Sequence, residues 1–306
     1  MNEPLFALGD PLLAGLRDRV LLLRSVETFQ RVDDDGLALL AERAKLRRFR
    51  AGARVQAEAE PARAVHVVLQ GEVRVTRGGR SVLVRSREQE LGLMAALTGA
   101  PGALSVAEVE TRTLEIPAAA LQVAVDQNFS LLRGLLQHTG ARLLRARGSL
   151  PAAPHSAPEV RLGTYYERPR TLVERVLELR KSPFASMNVE ALTEFARAMV
   201  EQRPAAGELL WAVGEPATHS FHVEYGCVRC TTSDGKHVDV GSDFTLGVMD
   251  VWGRSQRTYE ARCVTPVIGY RVGFEDFLAL LESHARVGAD LLETFARGVL
   301  GTGELT

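Results

Sequence analysis

Few residues in this chain of 306 stand at spacings that could do chemistry. Cys227 and Cys230 form a C-x-x-C, a spacing used by zinc sites and by thiol redox centres. A structural zinc needs four ligands, and the only other cysteine is Cys263, with no second pair. The surrounding "GCVRCTT" alternates as a strand does, and residues i and i+3 of a strand point to opposite faces. The pair therefore reads as structural. The seven histidines, including His66, His219 and His222, are scattered, with no HxxxH or HExxH. "VDDDG" (Val32–Gly36) lacks the alternating oxygen ligands and distal glutamate of a calcium loop. It stands before "LALLAERA", as a helix N-cap and acidic first turn would. No nucleophile elbow, phosphate-cradling loop or paired catalytic carboxylate is present. The expectation is a non-enzymatic protein with no metal and no cofactor.

The most suggestive stretch is "LGLMAALTGAPG", Leu91 to Gly102: a glycine closes a strand, a short apolar helical turn follows, and Pro-Gly ends it. It occurs twice. Gly92 and Met94 recur as Gly247 and Met249 in "LGVMDVWGRSQR". Gly52 recurs as Gly207, Glu60-Pro61-Ala62 as Glu215-Pro216-Ala217, Gly71 as Gly226 and Phe29 as Phe184. Every offset is 155 residues. The chain is a duplication.

Each copy has the same layout. Two helical patterns come first: "LRDRVLLLRSVETF" and "DGLALLAERAKL", then "LVERVLELRKSPF" and "VEALTEFARAMV". Short alternating segments follow, punctuated by "RGGR" or "SDGK" turns, and indicate an antiparallel roll. Each copy ends in apolar helical sequence. The fold expected is mainly β with helical caps (α+β): two jelly-roll-type β-rolls in tandem. The first domain is expected over 1–150, a Pro/Ala/Ser-rich linker over 151–165, and the second domain over 166–306.

The pattern "F..AG..V.....EPA..VHVVLQGEVRV", its second copy and the glycine at 92 or 247 resemble the cyclic-nucleotide-binding domain, here in tandem over nearly all of 20–150 and 170–300. The resemblance implies a phosphate-binding cassette in each copy. Its pattern is roughly Gly-Glu-x-Ala-Leu-Leu followed by Arg-x-Ala: the glutamate takes the ribose hydroxyl, and the arginine with backbone N–H groups holds the cyclic phosphate. In copy one Leu93 stands in place of the glutamate and Gly102 in place of the arginine. In copy two Val248 replaces the glutamate, while Arg257, next to Thr258, keeps the arginine. The residues expected around any second-copy ligand are Gly247, Val248, Met249, Arg257 and Thr258. A hydrogen bond to a charged group contributes ~1.5–3 kcal/mol, so losing both anchors costs about 3–6 kcal/mol, or ~10²–10⁴ in affinity. The bland alternative pairs Arg257 with Asp250 or Glu260 and closes the pocket. Trp252, Arg254 and Tyr259 either stack on a purine or, the preferred reading, fill the roll.

Composition bounds the partners. The formal net charge is −1, which argues against a general nucleic-acid binder, and no reading helix follows either roll. The Arg47, Arg48 and Arg50 cluster reads as a solvated face, or else a docking spot for a partner. No apolar run is long enough to span a bilayer and no secretory signal is visible, so a cytoplasmic protein is expected. Only three of the 37 basic residues are lysine, a GC-rich, bacterial coding bias. The functional expectation is a regulatory-type scaffold acting through protein partners. The terminal helices would have apolar residues to spare for a partner or a homo-oligomer. The alternative is a sensor that binds a cyclic nucleotide or other small anion weakly in copy two.

Overall fold

The computed structural model describes residues 15–77, 80–148, 150–151, 162–180, 187–253 and 256–302. Phe184, Arg254 and most of the expected linker lie outside them. The chain divides into two compact units: Met1–Thr139 with Ala289–Thr306, and Gly140–Gly288. This division differs from the expected domains. It cuts not at 151–165 but inside two long helices, for reasons of packing given below.

In the first unit, α1 (Leu16–Ser25), a short 3-10 turn (Glu27–Phe29) and α2 (Asp34–Arg43) precede the roll. The Asp33 carboxylate caps α2 by accepting the Gly36 N–H at 2.8 Å, as the acidic run predicts. The strands are β1 (Lys45–Phe49), β2 (Arg54–Gln56), β3 (Ala64–Gln70), β4 (Val73–Arg77), β5 (Arg80–Arg85), β6 (Glu90–Leu91), β7 (Leu104–Ala107) and β8 (Thr111–Pro117), with α3 (Leu93–Thr98) between β6 and β7. They form two four-stranded antiparallel sheets, β1-β8-β3-β6 and β2-β7-β4-β5. In β4 the buried Val73 and Val75 flank the exposed Arg74, the half-buried pattern of a two-sheet roll, whereas β3 is buried on both faces from Val65 to Leu69.

The second unit repeats this plan. Here α6 (Leu172–Leu179) and α7 (Val189–Ala198) lead to β9 (Val200–Gln202), β10 (Leu209–Trp211), β11 (His219–Tyr225), β12 (Val228–Thr231), β13 (His237–Val240), β14 (Phe244–Leu246), α8 (Val248–Trp252), β15 (Glu260–Cys263) and β16 (Ile268–Gly273). The sheets are β9-β16-β11-β14 and β10-β15-β12-β13, the same order as in the first unit. Gly71 and Gly226 both follow the equivalent strands β3 and β11.

The 155-residue offset does not hold to the end of the roll. It persists through the cassette: Gly102 N–H donates to the Glu60 carbonyl and Arg257 N–H to the Glu215 carbonyl. From β7 and β15 onward it becomes 156, because Val73 pairs with Ala107 and Val228 with Cys263. One residue has been inserted in copy two directly after Arg257, in the Thr258-Tyr259 stretch, and the extra length brings the Tyr259 ring into the core.

The C-terminal helical sequence of each copy is broken. In copy one α4 (Ala118–Gln127) stops at Asn128, whose side chain accepts the Leu131 N–H at 2.7 Å and starts α5 (Phe129–Arg147). In copy two α9 (Phe274–Ser283) stops at His284 before α10 (Ala285–Gly301). The later half of α5 packs in the second unit, where a Cβ on Gly140 would meet the Trp252 Cβ at 2.7 Å. The later half of α10 belongs to the first unit, where it buries Leu292, Phe295 and Val299. The apolar stripe of 274–301 therefore does not cover its own roll alone. Among the described residues it leaves no large apolar side chain of α9 or α10 exposed for a partner or a homo-oligomer. No described helix is long and apolar enough to cross a membrane.

Candidate functional site

The two short helices α3 and α8 begin alike. Gly92 (φ 85°) and Gly247 (φ 75°) adopt the left-handed conformation that lets the chain turn sharply from strand into helix, at little steric cost for glycine alone. What faces these turns differs between the copies.

In copy one the space is filled by Gln56 from β2. A Cβ on Gly92 would meet the Gln56 Oε1 at 2.9 Å, and one on Gly102 would collide with the Gln56 amide nitrogen. That nitrogen is buried without a hydrogen-bond partner. Leu93 is fully buried. A cavity of about 10 Å³ remains beside Gly92, Ala95, Gly102 and Arg77, with Leu300 of α10 on its wall. That is room for about one water, far below the 300–1,000 Å³ of ordinary ligand pockets.

In copy two the equivalent of Gln56 is Trp211, and the equivalent of Gly102 is Arg257. The Arg257 guanidinium lies over the Trp211 ring, 4.0 Å from its centroid, and only 2% of the residue is exposed. Its Nη2 donates to the His219 carbonyl at 2.5 Å. Nε and Nη1 are buried without hydrogen-bond partners. The Gly247 N–H donates to the Tyr259 hydroxyl at 2.9 Å.

Burial pushes the Arg257 guanidinium pKa down against the attraction of Asp250, and pushes the Asp250 carboxyl up against the Thr258 hydroxyl bond at 2.9 Å and the attraction of Arg257. Glu260, the other carboxylate considered for Arg257, instead pairs with Arg262 at 2.9 Å. Val248 and Met249 are half-buried. Chemically the site is a desolvated cation under an aromatic roof, closed to solvent.

A family model described as the cyclic nucleotide-binding domain matches residues 46–128 and again 201–284. The chain belongs to that family. Similar solved structures include the regulatory domain of Toxoplasma gondii PKA with cAMP, 16% identical over 91% of this chain and 95% of that one, TM-score 0.36. Another is the regulatory subunit of a cAMP-independent protein kinase A from Trypanosoma brucei, 15% identical over 93% of this chain and 92% of that one, TM-score 0.35. A third is the N-terminal domain of a transcriptional regulator from Streptomyces coelicolor A3(2), 27% identical over 41% of this chain and 92% of that one, TM-score 0.37. No curated protein sequence matches the chain.

In these tandem cyclic nucleotide-binding domains the structure brings Gly92 and Gly102 together around Gln56, and Gly247 and Arg257 together under Trp211. Trp252 of α8 meets Phe274 and Phe277 at centroid distances of 5.2 and 6.0 Å. Gln56 and Trp211 were missed in the sequence, although the 155-residue offset relates them.

The other candidate sites resolve structurally. Cys227, Cys230 and Cys263 are buried free thiols, and burial raises the pKa of each, Cys263 to about 11. They stay protonated at neutral pH, so their reactivity is low. Among the described residues no three His, Cys, Asp or Glu side chains gather as a metal site would require. Arg47 and Arg48 make two-pronged ion pairs with Glu115 and Glu110.

Proposed function

We propose that this protein is a non-enzymatic tandem module that works as a scaffold or regulatory interaction protein through protein partners, its two cassettes filled by its own side chains in place of a cyclic nucleotide. The observation that carries this reading is Gln56: its amide fills the space between Gly92 and Gly102, and Leu93 beside it offers no acceptor for a ribose hydroxyl.

A second reading has one specific observation in its favour. Two Arg257 nitrogens are buried without partners, and an unsatisfied buried donor is costly. That arrangement suits a copy that takes an anion when Trp211 or Tyr259 moves.

Calorimetric titration of the intact chain with cyclic AMP and cyclic GMP, together with a pull-down from the native host, tests both. The scaffold reading expects no heat and specific protein capture. Binding that vanishes in Arg257→Gln supports the sensor instead. Tight binding that survives Arg257→Gln overturns both, because the ligand would then sit in copy one, displacing Gln56, or outside the cassettes.

A further inference from the structure

The second unit carries a cavity of about 480 Å³ outside the cassette, a volume typical of small-molecule sites. It lies at the seam where β9 and β10, the edge strands of the two sheets, are joined by residues 203–208. Its lining includes Gln202, Leu210, His219, Phe221 and Arg271.

In copy one the corresponding positions carry an ion pair and an aromatic contact. There the residue opposite His66 is Glu115, and Glu115 is held by Arg47 through two bonds of 2.9 Å. Phe49 packs edge-on against the His66 ring at 5.9 Å. In copy two the residue opposite Phe221 is Arg271, so a cation replaces Glu115. Gln202 stands where Arg47 stood, and Pro204 where Phe49 stood. The substitutions remove the ion pair, reverse the charge on β16 and take away the aromatic filler. Among the described residues Arg271 has no hydrogen-bond or ion-pair partner.

The neighbours do not neutralise it. Arg203 is committed to Glu201 at 2.8 Å and to the Tyr166 carbonyl at 2.9 Å. Glu208, an exposed carboxylate in the same lining, takes the Ala205 N–H at 2.9 Å and makes no ion pair with Arg271. His219 is pushed down to about 4 by burial and then by the charges of Arg257 and Arg271. Arg257 feels Arg271 as a like charge. An oxyanion on Arg271 would offset that repulsion, and the guanidinium fork suits its geometry. Leu209 and Leu210 offer apolar surface beside it.

We propose that this seam binds a small organic oxyanion, a phosphate ester or carboxylate with an apolar body, with Arg271 as its anchor. The site is separate from the cassette, so it stands whether or not a cyclic nucleotide binds there. The test titrates the full chain with phenyl phosphate, benzoate and inorganic phosphate by calorimetry. Phenyl phosphate or benzoate should bind more tightly than inorganic phosphate, and which of the two is preferred fixes the head group.

Arg271→Gln should weaken binding by about tenfold or more, the loss of one charged hydrogen-bond set, while Arg257→Gln, which removes only a neighbouring like charge, should weaken it far less. The pair Gln202→Arg with Arg271→Glu rebuilds the copy-one bridge. It should abolish binding in a protein whose circular dichroism and melting are unchanged, which separates lost binding from lost fold. Silence of all three probes at millimolar concentration overturns the proposal. So does equal affinity for inorganic and phenyl phosphate, or a loss confined to Arg257→Gln.

Discussion

The Arg257 guanidinium lies 4.0 Å over the Trp211 ring, and in the other copy these two positions are Gly102 and Gln56. Each cassette is thus filled by one side chain from the second strand of the roll, with a different solution to what stands opposite. In copy two the filler is an aromatic roof over a buried charge. In copy one it is an amide lying in the space that a residue-102 side chain would occupy.

This asymmetry predicts different costs of truncation. Trp211 is buried in the second unit's core with Phe221, Tyr259 and Val223. Trp211→Ala should cost about 3–5 kcal/mol, as large-to-small core changes do. Gln56→Ala should cost less than about 1 kcal/mol, because it also removes a buried, unpartnered amide nitrogen. Urea denaturation of both variants checks the contrast, and a costly Gln56→Ala would show the amide to be satisfied.

Copy one should accept an arginine only if its filler is removed. Gly102→Arg alone forces the new side chain into the Gln56 amide, and overpacking of this kind costs about 1–3 kcal/mol. Combining it with Gln56→Ala should recover at least ~1 kcal/mol of that loss, a coupling expected of residues in contact. A double-mutant cycle by denaturant titration measures it; strict additivity would mean that the two positions do not share the space.

The frame of the molecule was legible in the sequence because it rests on periodicity and on glycine. Gly71, Gly92, Gly226 and Gly247 mark turns by their own conformational freedom, and a constant offset exposes the duplication without a structure. The cassette filler was not legible, because Gln56 and Trp211 are ordinary strand residues whose role depends on what the opposite strand lacks. The extra residue after Arg257 escaped for a related reason: no glycine shared by both copies follows it within the roll, since Gly269 and Gly273 have no counterpart in β8. The placement of α10 escaped because a helical stripe shows that a face is buried but not against what. Leu292, Phe295 and Val299 have the same periodicity whichever unit they cover.

His66 gives the first unit a pH dependence. It is 5% exposed, its Nδ1 lies 3.1 Å from the Thr113 hydroxyl, and burial, outweighing the nearby Glu115 carboxylate, lowers its pKa to about 4 from 6.5. Above pH 6.5 the ring is neutral whether folded or unfolded, so it costs nothing. As the pH falls from about 6.5 to about 4 the unfolded chain takes up a proton that the folded one refuses, and stability is lost, by about 3 kcal/mol at the lower end. His66→Phe, the residue that copy two carries as Phe221, should flatten this part of the stability–pH curve. An unchanged slope between pH 6.5 and 4 would assign the loss to other groups.

The last prediction concerns α10. Leu292, Phe295, Ala296 and Val299 are buried, with exposures of 4% or less, and belong to the first unit. Arg297 Nη2 reaches the Thr98 carbonyl at the end of α3, at 3.3 Å. Burying a large apolar side chain is worth about 1.5–3 kcal/mol, so this helical face contributes an amount comparable with the 5–15 kcal/mol that holds a typical domain together. Phe295→Ala should therefore cost about 3–5 kcal/mol, and the cost should fall on the first unit although the residue follows the second roll in sequence. Hydrogen exchange distinguishes the two. Amides of β3 and β8 should lose protection in Phe295→Ala, while those of β11 and β16 keep it. Arg297→Ala, an exposed contact, should leave both sets unchanged. If instead β11 and β16 exchange faster in Phe295→Ala, the helix covers its own roll and the division of the chain at Gly288 and Ala289 is wrong.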